Sequence, residues 1–285
     1  MNAFDRKFGK DFTQQLPQLP GVYRFMNDSN QVIYIGKAKN LKRRIDQYRN
    51  AKRRKKHRKM KIIVADAAQL EFQTCSTEAD AELLETRLIQ TLRPRWNIVG
   101  AFYFLYPLIG IKKDANEVSF CYTTQPELFS DFEFHGAFRS RELTRNSYFS
   151  LMALLGWIGH QSKLTQHLLV PKFSYVRAFR QIPEEWFLSL RAFLKGESKK
   201  FLEDLSLELL ENAGARKRSK AIQLELRQIL SFWKHEIQPL HQARRLVAEH
   251  SYPVSQKERD VLFLKAKHQM KSRSSMVASP PHLSV

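Results

Sequence analysis

Two short runs of β-forming residues around a polar turn are the strongest constraint on how this chain can fold. The runs are GVYRF (21–25) and VIYIG (32–36), and the intervening NDSN (27–30) has turn chemistry. A four-residue loop would pair Met26 with Gln31 and place Tyr23 directly opposite Tyr34 on one face of a hairpin. Two phenols on one surface can be cross-strand packing or part of a site, and the hairpin leaves both interpretations open.

A helix is predicted after the hairpin. Leu41, Arg44, Ile45 and Tyr48 recur at i, i+3, i+4 and i+7, which is one helix face. Arg44 therefore lies in an apolar stripe. Burying an unpaired charge is costly, so its guanidinium needs a partner or a function. The alternative is that the long side chain extends past the apolar stripe and keeps its charge in solvent.

A third strand, LEFQTC (70–75), leads to Thr77, which with Asp80 resembles a capping box opening the helix 78–92. Glu85 falls on or beside the apolar face of that helix, where a surface glutamate is not expected. The apolar face is predicted to consist of Ala81, Leu84, Leu88, Ile89 and Leu92.

The helix is expected to end before Pro94, and RPRWN (93–97) then supplies Trp96 as an anchor and Asn97 as a polar neighbour. These segments complete a compact β-β-α-β-α unit. The predicted fold class is α/β (α+β), with a small antiparallel sheet flanked by helices and a second mixed, helix-rich domain after it.

Four segments are expected along the chain. The second domain contains a strand-like VSFCY (118–122) and two amphipathic helices, the later one with Gly214 as its C-cap, and disorder is expected from residue 271. The segments are an N-terminal lead (1–14), the compact unit (15–100), the second domain for DNA or partner binding (101–255) and a basic, partly disordered tail (256–285).

Positive charge is concentrated in one stretch. The formal charge is +20, and Gly36 to Lys61 holds fourteen Lys and Arg residues against the single acid Asp46. A polyanion is the natural partner, and nucleic acid fits better than a membrane because the stretch is not a helix with a lysine face opposite an aromatic or leucine face. AKRRKKHRKMK (51–61), called here the basic tract, should be a solvated loop or helix extension, which is a plain charged surface or a phosphate-tracking arm. The predicted DNA-binding residues are Lys42, Arg43, Tyr48, Lys52, Arg53, Arg54, Lys55 and Lys56.

The remaining composition excludes several classes of protein. Cys75 and Cys121 are far apart, without a CxxC pair, so neither a disulfide scaffold nor a structural zinc site is supported. The N-terminus has no apolar signal region, and no stretch is long and apolar enough for a membrane span. We expect a soluble cytoplasmic protein without a membrane partner.

The candidate residues suit phosphodiester hydrolysis if they share one cleft. A glutamate can hold one hard cation, Mg²⁺ or Mn²⁺, while an arginine binds phosphate oxygens and a phenol beside cations accepts a proton from water. Tyrosines in hairpins and arginines on helices are common, so spacing alone does not establish the site. The candidates are Tyr23, Tyr34, Lys37, Arg44, Glu85 and Asn97, with Glu85 as the metal ligand.

The order GVY (21–23), YIGKAKNLKRR (34–44), Glu85 and RPRWN (93–97) resembles the GIY-YIG nuclease superfamily, in particular the N-terminal nuclease domain of UvrC. The resemblance implies that Tyr34 is the general base or water-positioning phenol and that Tyr23 supports it through hydrogen bonding, or that the two tyrosines exchange these roles. It also implies that Lys37 and Arg44 are the basic positions, Glu85 the metal ligand, Asn97 a residue that shapes the site and Tyr48 a helix tyrosine near DNA.

With one nuclease module, the chain is similar to UvrC homologues of the Cho type. That resemblance implies a monomer that incises damaged double-stranded DNA on the 3′ side of a lesion bound by UvrB. The chain lacks the clear pattern of a UvrB-binding motif. Two alternatives are a structure-specific nuclease independent of UvrB and a non-catalytic DNA-binding protein.

Overall fold

The computed structural model describes residues 1–52, 54–162, 170–248 and 251–277. The chain divides into two compact units. The first comprises Met1–Tyr103 together with the chain from Met270, and the second comprises Phe104–Gln269. The two units build their cores from different residues, so each is described by itself.

The first unit is a three-stranded antiparallel sheet with helices packed on it. The strand order is β2-β1-β3, so the first strand of the hairpin is central and the second is an edge. This matches the predicted small antiparallel sheet flanked by helices. Its elements are α1 (Ala3–Phe8), β1 (Gly21–Met26), β2 (Val32–Ala38), α2 (Leu41–Arg49), α3 (Arg58–Asp66), β3 (Gln69–Thr74) and α4 (Glu78–Leu92).

The register of the hairpin differs from the predicted one. Tyr23 pairs with Gly36 and Phe25 with Tyr34, and a bulge between Phe25 and Met26 places Met26 against Val32. The connection is longer than NDSN, because the Asn27 side chain accepts hydrogen bonds from the backbone N–H groups of Ser29 and Gln31 and so brings residue 31 into the turn. The shift is two residues, so the predicted faces are kept.

Nearby residues explain where α4 begins and why α3 packs on the domain. α4 begins with the predicted capping box, in which Thr77 and Asp80 bond each other's backbone N–H groups. α3 was not predicted as a helix of its own. The basic tract leads into it through a 3-10 turn at Lys55–His57, and Ile63 and Val64 then pack into the core.

The second unit is mixed and rich in helix, as predicted. A five-stranded antiparallel sheet has the order β6-β4-β5-β8-β7, and most helices follow it in the chain. The strands are β4 (Leu108–Lys113), β5 (Glu117–Thr123), β6 (Glu133–Gly136), β7 (His160–Gln161) and β8 (Tyr175–Arg180). The helices are α5 (Arg141–Ile158), α6 (Glu184–Lys195), α7 (Lys200–Glu211), α8 (Ala213–Lys217), α9 (Ser219–Phe232), a π-helix (Trp233–Ile237), α10 (Gln238–Leu246) and α11 (Gln256–Val277), of which the part from Met270 is assigned to the first unit.

Two local predictions in the later part of the chain are wrong. Gly214 lies inside α8, because Asn212 ends α7 and its side chain caps α8 by accepting from Ala215 N–H. Residues 271–277 continue α11 instead of starting a disordered tail, and the rest of the predicted tail lies outside the described residues. In the described part of the chain, no helix is both long and apolar enough to cross a membrane.

Candidate functional site

Tyr23 lies at the centre of the polar cluster on the first unit. Its ring is fully buried and crosses Gly36 on the neighbouring strand, where an added Cβ would lie 2.4 Å from the phenol oxygen. Arg44 Nε donates to that oxygen at 3.0 Å, and the hydroxyl of Tyr48 is 3.1 Å away. Burial raises the pKa of Tyr23 far above its usual value, so this phenol stays protonated near neutral pH.

Tyr48 is inside the domain instead of on a DNA-facing surface. The ring is 3% exposed and packs against Phe25 with their centroids 5.0 Å apart. Burial raises the pKa of its hydroxyl as well. The guanidinium of Arg44 lies over the ring, 5.5 Å from its centroid, and donates through Nη1 to Gln47. Arg44 is therefore only half-buried and has the partners that its place in the apolar stripe requires.

Tyr34 is the half-exposed member of the three tyrosines. Its ring centroid is 6.2 Å from that of Tyr23 and 6.5 Å from that of Tyr48. The charge of Arg44 acts on all three phenols. The two tyrosines of the hairpin thus share a surface as predicted, although they are diagonal neighbours on the ladder and not a directly opposed pair.

Glu85 reaches from α4 to the end of β2. Its Oε1 accepts the backbone N–H of Lys37 at 3.0 Å, and Oε2 accepts no hydrogen bond from the residues that the structure describes. Burial raises the pKa of Glu85, with the nearby Glu82 carboxylate adding to the effect and the charges of Lys37 and Arg44 opposing it. A partly desolvated carboxylate with one open oxygen fits a hard cation such as Mg²⁺, which is held by one or two carboxylates and otherwise by water and phosphate.

Glu82 is a site residue that the sequence reasoning missed. It is 8% exposed, and its carboxylate forms an ion pair with the ammonium of Lys37. The available signal was spacing, since a residue three positions before Glu85 lies on the same side of a helix. The ammonium of Lys37 is therefore held by an acid next to Glu85.

Asn97 closes the outer edge of β2. Its side-chain oxygen accepts from the N–H of Ile35, and its amide nitrogen donates to the carbonyl of the same residue, both at 2.9 Å. The neighbouring Trp96 donates from Nε1 to Asp66 at 2.9 Å. These bonds fix the backbone between Tyr34 and Gly36, so Asn97 shapes the site through the strand.

The structure groups Tyr23 with Tyr34 and Arg44, and it places Glu85 on the backbone N–H of Lys37, where the charge of Arg44 also acts on it. Asn97 acts on this group only through the backbone of Ile35. The predicted DNA-binding cations lie outside this cluster, as exposed or half-exposed side chains of α2 and the basic tract. They are Lys42, Arg43, Lys52, Arg54, Lys55 and Lys56, whereas Arg53 lies outside the described residues. Among the described residues, no three acids, histidines or cysteines converge as a metal cluster, so a cation would depend on Glu85 with water and substrate oxygens.

Comparison with known proteins defines the class of this domain. Residues 19–98 match the family described as the UvrC-like GIY-YIG domain. The matched range contains both strands of the hairpin, the helix with Arg44, the helix with Glu85 and Asn97. The first unit therefore contains a UvrC-like GIY-YIG domain.

The relatives are UvrC proteins. The UvrABC system protein C of Rhizobium meliloti is 36% identical over 148 residues, which are 52% of this chain and 19% of that protein. The protein of the same name from Caulobacter vibrioides is 42% identical over 105 residues, 37% of this chain and 16% of that protein. The chain thus spans less than a fifth of the length of these relatives, and the longer match extends beyond the first unit.

A solved structure has a similar sequence. The GIY-YIG N-terminal endonuclease domain of UvrC from Thermotoga maritima, bound to its catalytic divalent cation magnesium, is 37% identical. The match covers 32% of this chain and 97% of that domain, with a TM-score of 0.29.

Proposed function

We propose that this protein is a divalent-metal-dependent DNA endonuclease whose active site is the cluster around Tyr34, Arg44 and Glu85. The observation that carries the proposal is the arrangement of one half-exposed phenol beside a guanidinium and a carboxylate with an open oxygen. A binding module has no need of a carboxylate facing a polyanion. The 37% identity to a domain described with a catalytic divalent cation supports the same assignment.

Tyr34 is the general base or water-positioning phenol in this proposal. Tyr23 and Tyr48 are buried with pKa values raised by burial, so they are poor proton acceptors near neutral pH. The Tyr23 hydroxyl instead accepts from Arg44 Nε, and the guanidinium lies over the Tyr48 ring. Arg44 then offers planar N–H groups to the oxygens of the scissile phosphate. This division of roles follows from burial, since all three side chains have the same chemistry.

Glu85 would hold one Mg²⁺ or Mn²⁺ ion. Such an ion, when bound, polarises the phosphate and stabilises charge on the leaving oxygen. The N–H of Lys37 orients the carboxylate by donating to Oε1, which leaves Oε2 directed to the ligand. Lys37 itself is steered by Glu82, and Asn97 holds the strand that joins Tyr34 to Lys37.

We further propose that the substrate is damaged duplex DNA in the cytoplasm, cut once on the 3′ side of a lesion in complex with UvrB. Support comes from the relatives, which are named as the C protein of the UvrABC system, and from the single nuclease centre in the described residues. A Cho-type enzyme would act in this way. A UvrB-independent nuclease remains the alternative, because the matched region is under a fifth of the relatives' length.

The first prediction concerns the two central side chains. Glu85→Gln and Tyr34→Phe should each lower the nicking rate at least about 100-fold, because they remove the cation ligand and the proton acceptor. The assay is an end-labelled duplex with one lesion, incubated with Mg²⁺ in the presence and absence of lesion-bound UvrB and mapped to the nucleotide. Glu78→Gln is the matched control, since Glu78 is on the same helix and pairs with Lys39 at the surface.

Each outcome selects one function. A single 3′ nick that requires UvrB supports the full proposal, and a nick without UvrB supports the structure-specific alternative. Binding without any hydrolysis would make the protein a DNA-binding accessory. Wild-type nicking by either site variant would show that the site is wrongly assigned.

A further inference from the structure

One lysine of the basic tract lies against the half-exposed tyrosine of the site. Lys59 Nζ is 5.0 Å from the ring centroid of Tyr34. An ammonium within about 6 Å of an aromatic face is attracted to it electrostatically. The tract therefore extends from the DNA-binding surface to the residue proposed to activate water.

The helix that carries Lys59 is fixed to the core of the domain. Ile63, one turn further on, is 1% exposed, and Asp66 at the last turn accepts the indole N–H of Trp96. Lys7 donates to the backbone carbonyls at the end of the same helix. The contact with Tyr34 thus belongs to a helix that is anchored to the core of the domain.

The direction of the Lys59 side chain follows from the helix period. Residues four positions apart share a face, so Lys59 lies on the same side as the buried Ile63 and at the edge of the packed surface. Lys61, two positions later and about 200° around the axis, is exposed on the other side. Two lysines of one helical turn therefore differ in whether they face the site.

A phosphate at the site would meet this ammonium. Lys59 is exposed, so its charge is available to solvent on the side where Tyr34 is also open. A charge-assisted hydrogen bond to phosphate is stronger than an exposed cation-π contact, so a phosphate oxygen would take Nζ from the ring. Until then, the ring holds the ammonium next to the place where the phosphate binds.

We propose that Lys59 is a phosphate-binding residue of the active site, which contacts the DNA backbone at the bond that is cut. The inference rests on the proposed nuclease function and adds a substrate contact to it. α3 then supplies the ammonium of Lys59, and α2 supplies the guanidinium of Arg44. Both helices would thus contact the DNA strand that is cut next to Tyr34 and Glu85. Lys59 thus contacts the scissile phosphate, while Lys52, Arg54, Lys55 and Lys56 contact neighbouring phosphates.

The test compares Lys59 with Lys61 in the full chain. Single-turnover nicking of the end-labelled lesion duplex, at saturating protein, should fall at least about tenfold in Lys59→Gln, because a donor to the reacting phosphate is lost. Lys61→Gln should stay within about twofold of wild type at saturation, because it removes the same charge from the solvent side. Lys59→Arg should recover most of the rate, since it restores a cation.

A second measurement is independent of cleavage. Binding of the same duplex in EDTA at several salt concentrations should show the salt slope of Lys59→Gln reduced by about one. The melting temperature should be unchanged, because the side chain is exposed.

The inference would be overturned by a wild-type rate for Lys59→Gln at saturation, or by an equal loss in Lys61→Gln. Failure of the proposed function has a different signature. In that case the wild-type chain itself gives no nick, and the inference about Lys59 is overturned together with the proposed function.

Discussion

At the scale of single residues, three tyrosines of identical chemistry are separated by burial. Tyr23 and Tyr48 are enclosed, and burial raises the pKa of both. Tyr34 shares their cluster but is open to solvent on one side. The surroundings of each phenol therefore determine its role. The buried position of Tyr23 depends on Gly36, because the absence of a Cβ there leaves room for the ring.

Gly36→Ala should damage both folding and activity. The new Cβ would lie 2.4 Å from the Tyr23 hydroxyl, so the ring must move away from Arg44 and Tyr48. We expect a loss of about 1–3 kcal/mol in the free energy of unfolding, as for other overpacked cores, together with slower nicking. Urea unfolding measures the first and the lesion assay the second.

Gly156→Ala is the matched control for that substitution. Gly156 lies in α5, and a Cβ added there would meet no atom of another part of the chain within 4 Å, so the same change should stabilise the chain by up to about 1 kcal/mol through helix propensity. Equal effects of the two substitutions would contradict the role given to Gly36.

The site residues divide into those the sequence could predict and those it could not. Glu85 stood out because a glutamate on an apolar helix face needs a reason. Spacing puts Glu82 on the same side of the helix as Glu85, but its role depends on an ion pair with Lys37 on another element, and local periodicity does not reveal such a partner. Tyr48 matched the helix stripe correctly, yet its burial beneath Arg44 depends on how the helix packs on the sheet.

At the scale of elements, β2 is the strand on which the site depends. It is an edge strand, and it carries Tyr34, Gly36 and Lys37 within four residues. An open edge leaves backbone groups unpaired. The Asn97 side chain forms hydrogen bonds with one N–H and one C=O of that edge, which are bonds that a neighbouring strand would otherwise form.

Asn97→Ala should loosen this edge. The two hydrogen bonds together contribute about 1–3 kcal/mol to the free energy of unfolding. Nicking should fall because Tyr34 directly precedes the freed Ile35 and Lys37 follows it by two positions. Asn97→Asp keeps the acceptor for the Ile35 N–H but loses the donor to its carbonyl, so it should be nearly as damaging. Hydrogen exchange of the Ile35 amide measures the loosening directly, and an unchanged rate in Asn97→Ala would contradict it.

The elements were predictable where local chemistry decides them. The capping box at Thr77 and the helix stripe from Leu41 are local, and both were predicted correctly. The register was off by two because the side chain of Asn27 enlarges the turn, and turn length is read poorly from composition. α3 was missed because the charged residues before it hide the apolar pattern of Met60, Ile63 and Val64.

At the scale of the whole molecule, two units with separate cores share a chain of formal charge +20. The second unit also contains a titratable group at full burial. His135 on β6 is 0% exposed, and its Nδ1 is bonded to the hydroxyl of Tyr252. Burial lowers the pKa of His135 to about 3, with Glu133 opposing the effect and the charges of Lys195 and Arg191 adding to it.

The second unit should therefore lose stability in mild acid. The unfolded chain takes up a proton at His135 near pH 6.5, whereas the folded chain does so only near 3, so the contribution is complete above 6.5 and declines as the pH falls towards 3. One proton changes the free energy of unfolding by about 1.4 kcal/mol per pH unit, or about 2 kcal/mol between pH 6.5 and 5.

His135→Gln should remove that pH dependence while keeping a polar partner for Tyr252. Urea unfolding at pH 7 and pH 5, followed by tryptophan fluorescence, measures it. The signal reports mainly on the second unit, which contains Trp157, Trp186 and Trp233 of the four tryptophans. Parallel losses in the variant and the wild type would show that other groups cause the decline.

The bonds from Asn97 to Ile35 also determine when the site can form during synthesis. The tyrosines, Arg44 and the basic tract leave the ribosome before residue 97, yet the strand edge between Tyr34 and Lys37 is closed only after it. A nascent chain that stops short of this residue already carries the basic tract but lacks the two bonds that hold Ile35 at the edge of β2. In the proposed nuclease, the order of synthesis would therefore complete the DNA-binding charge before the strand edge that carries Tyr34 and Lys37.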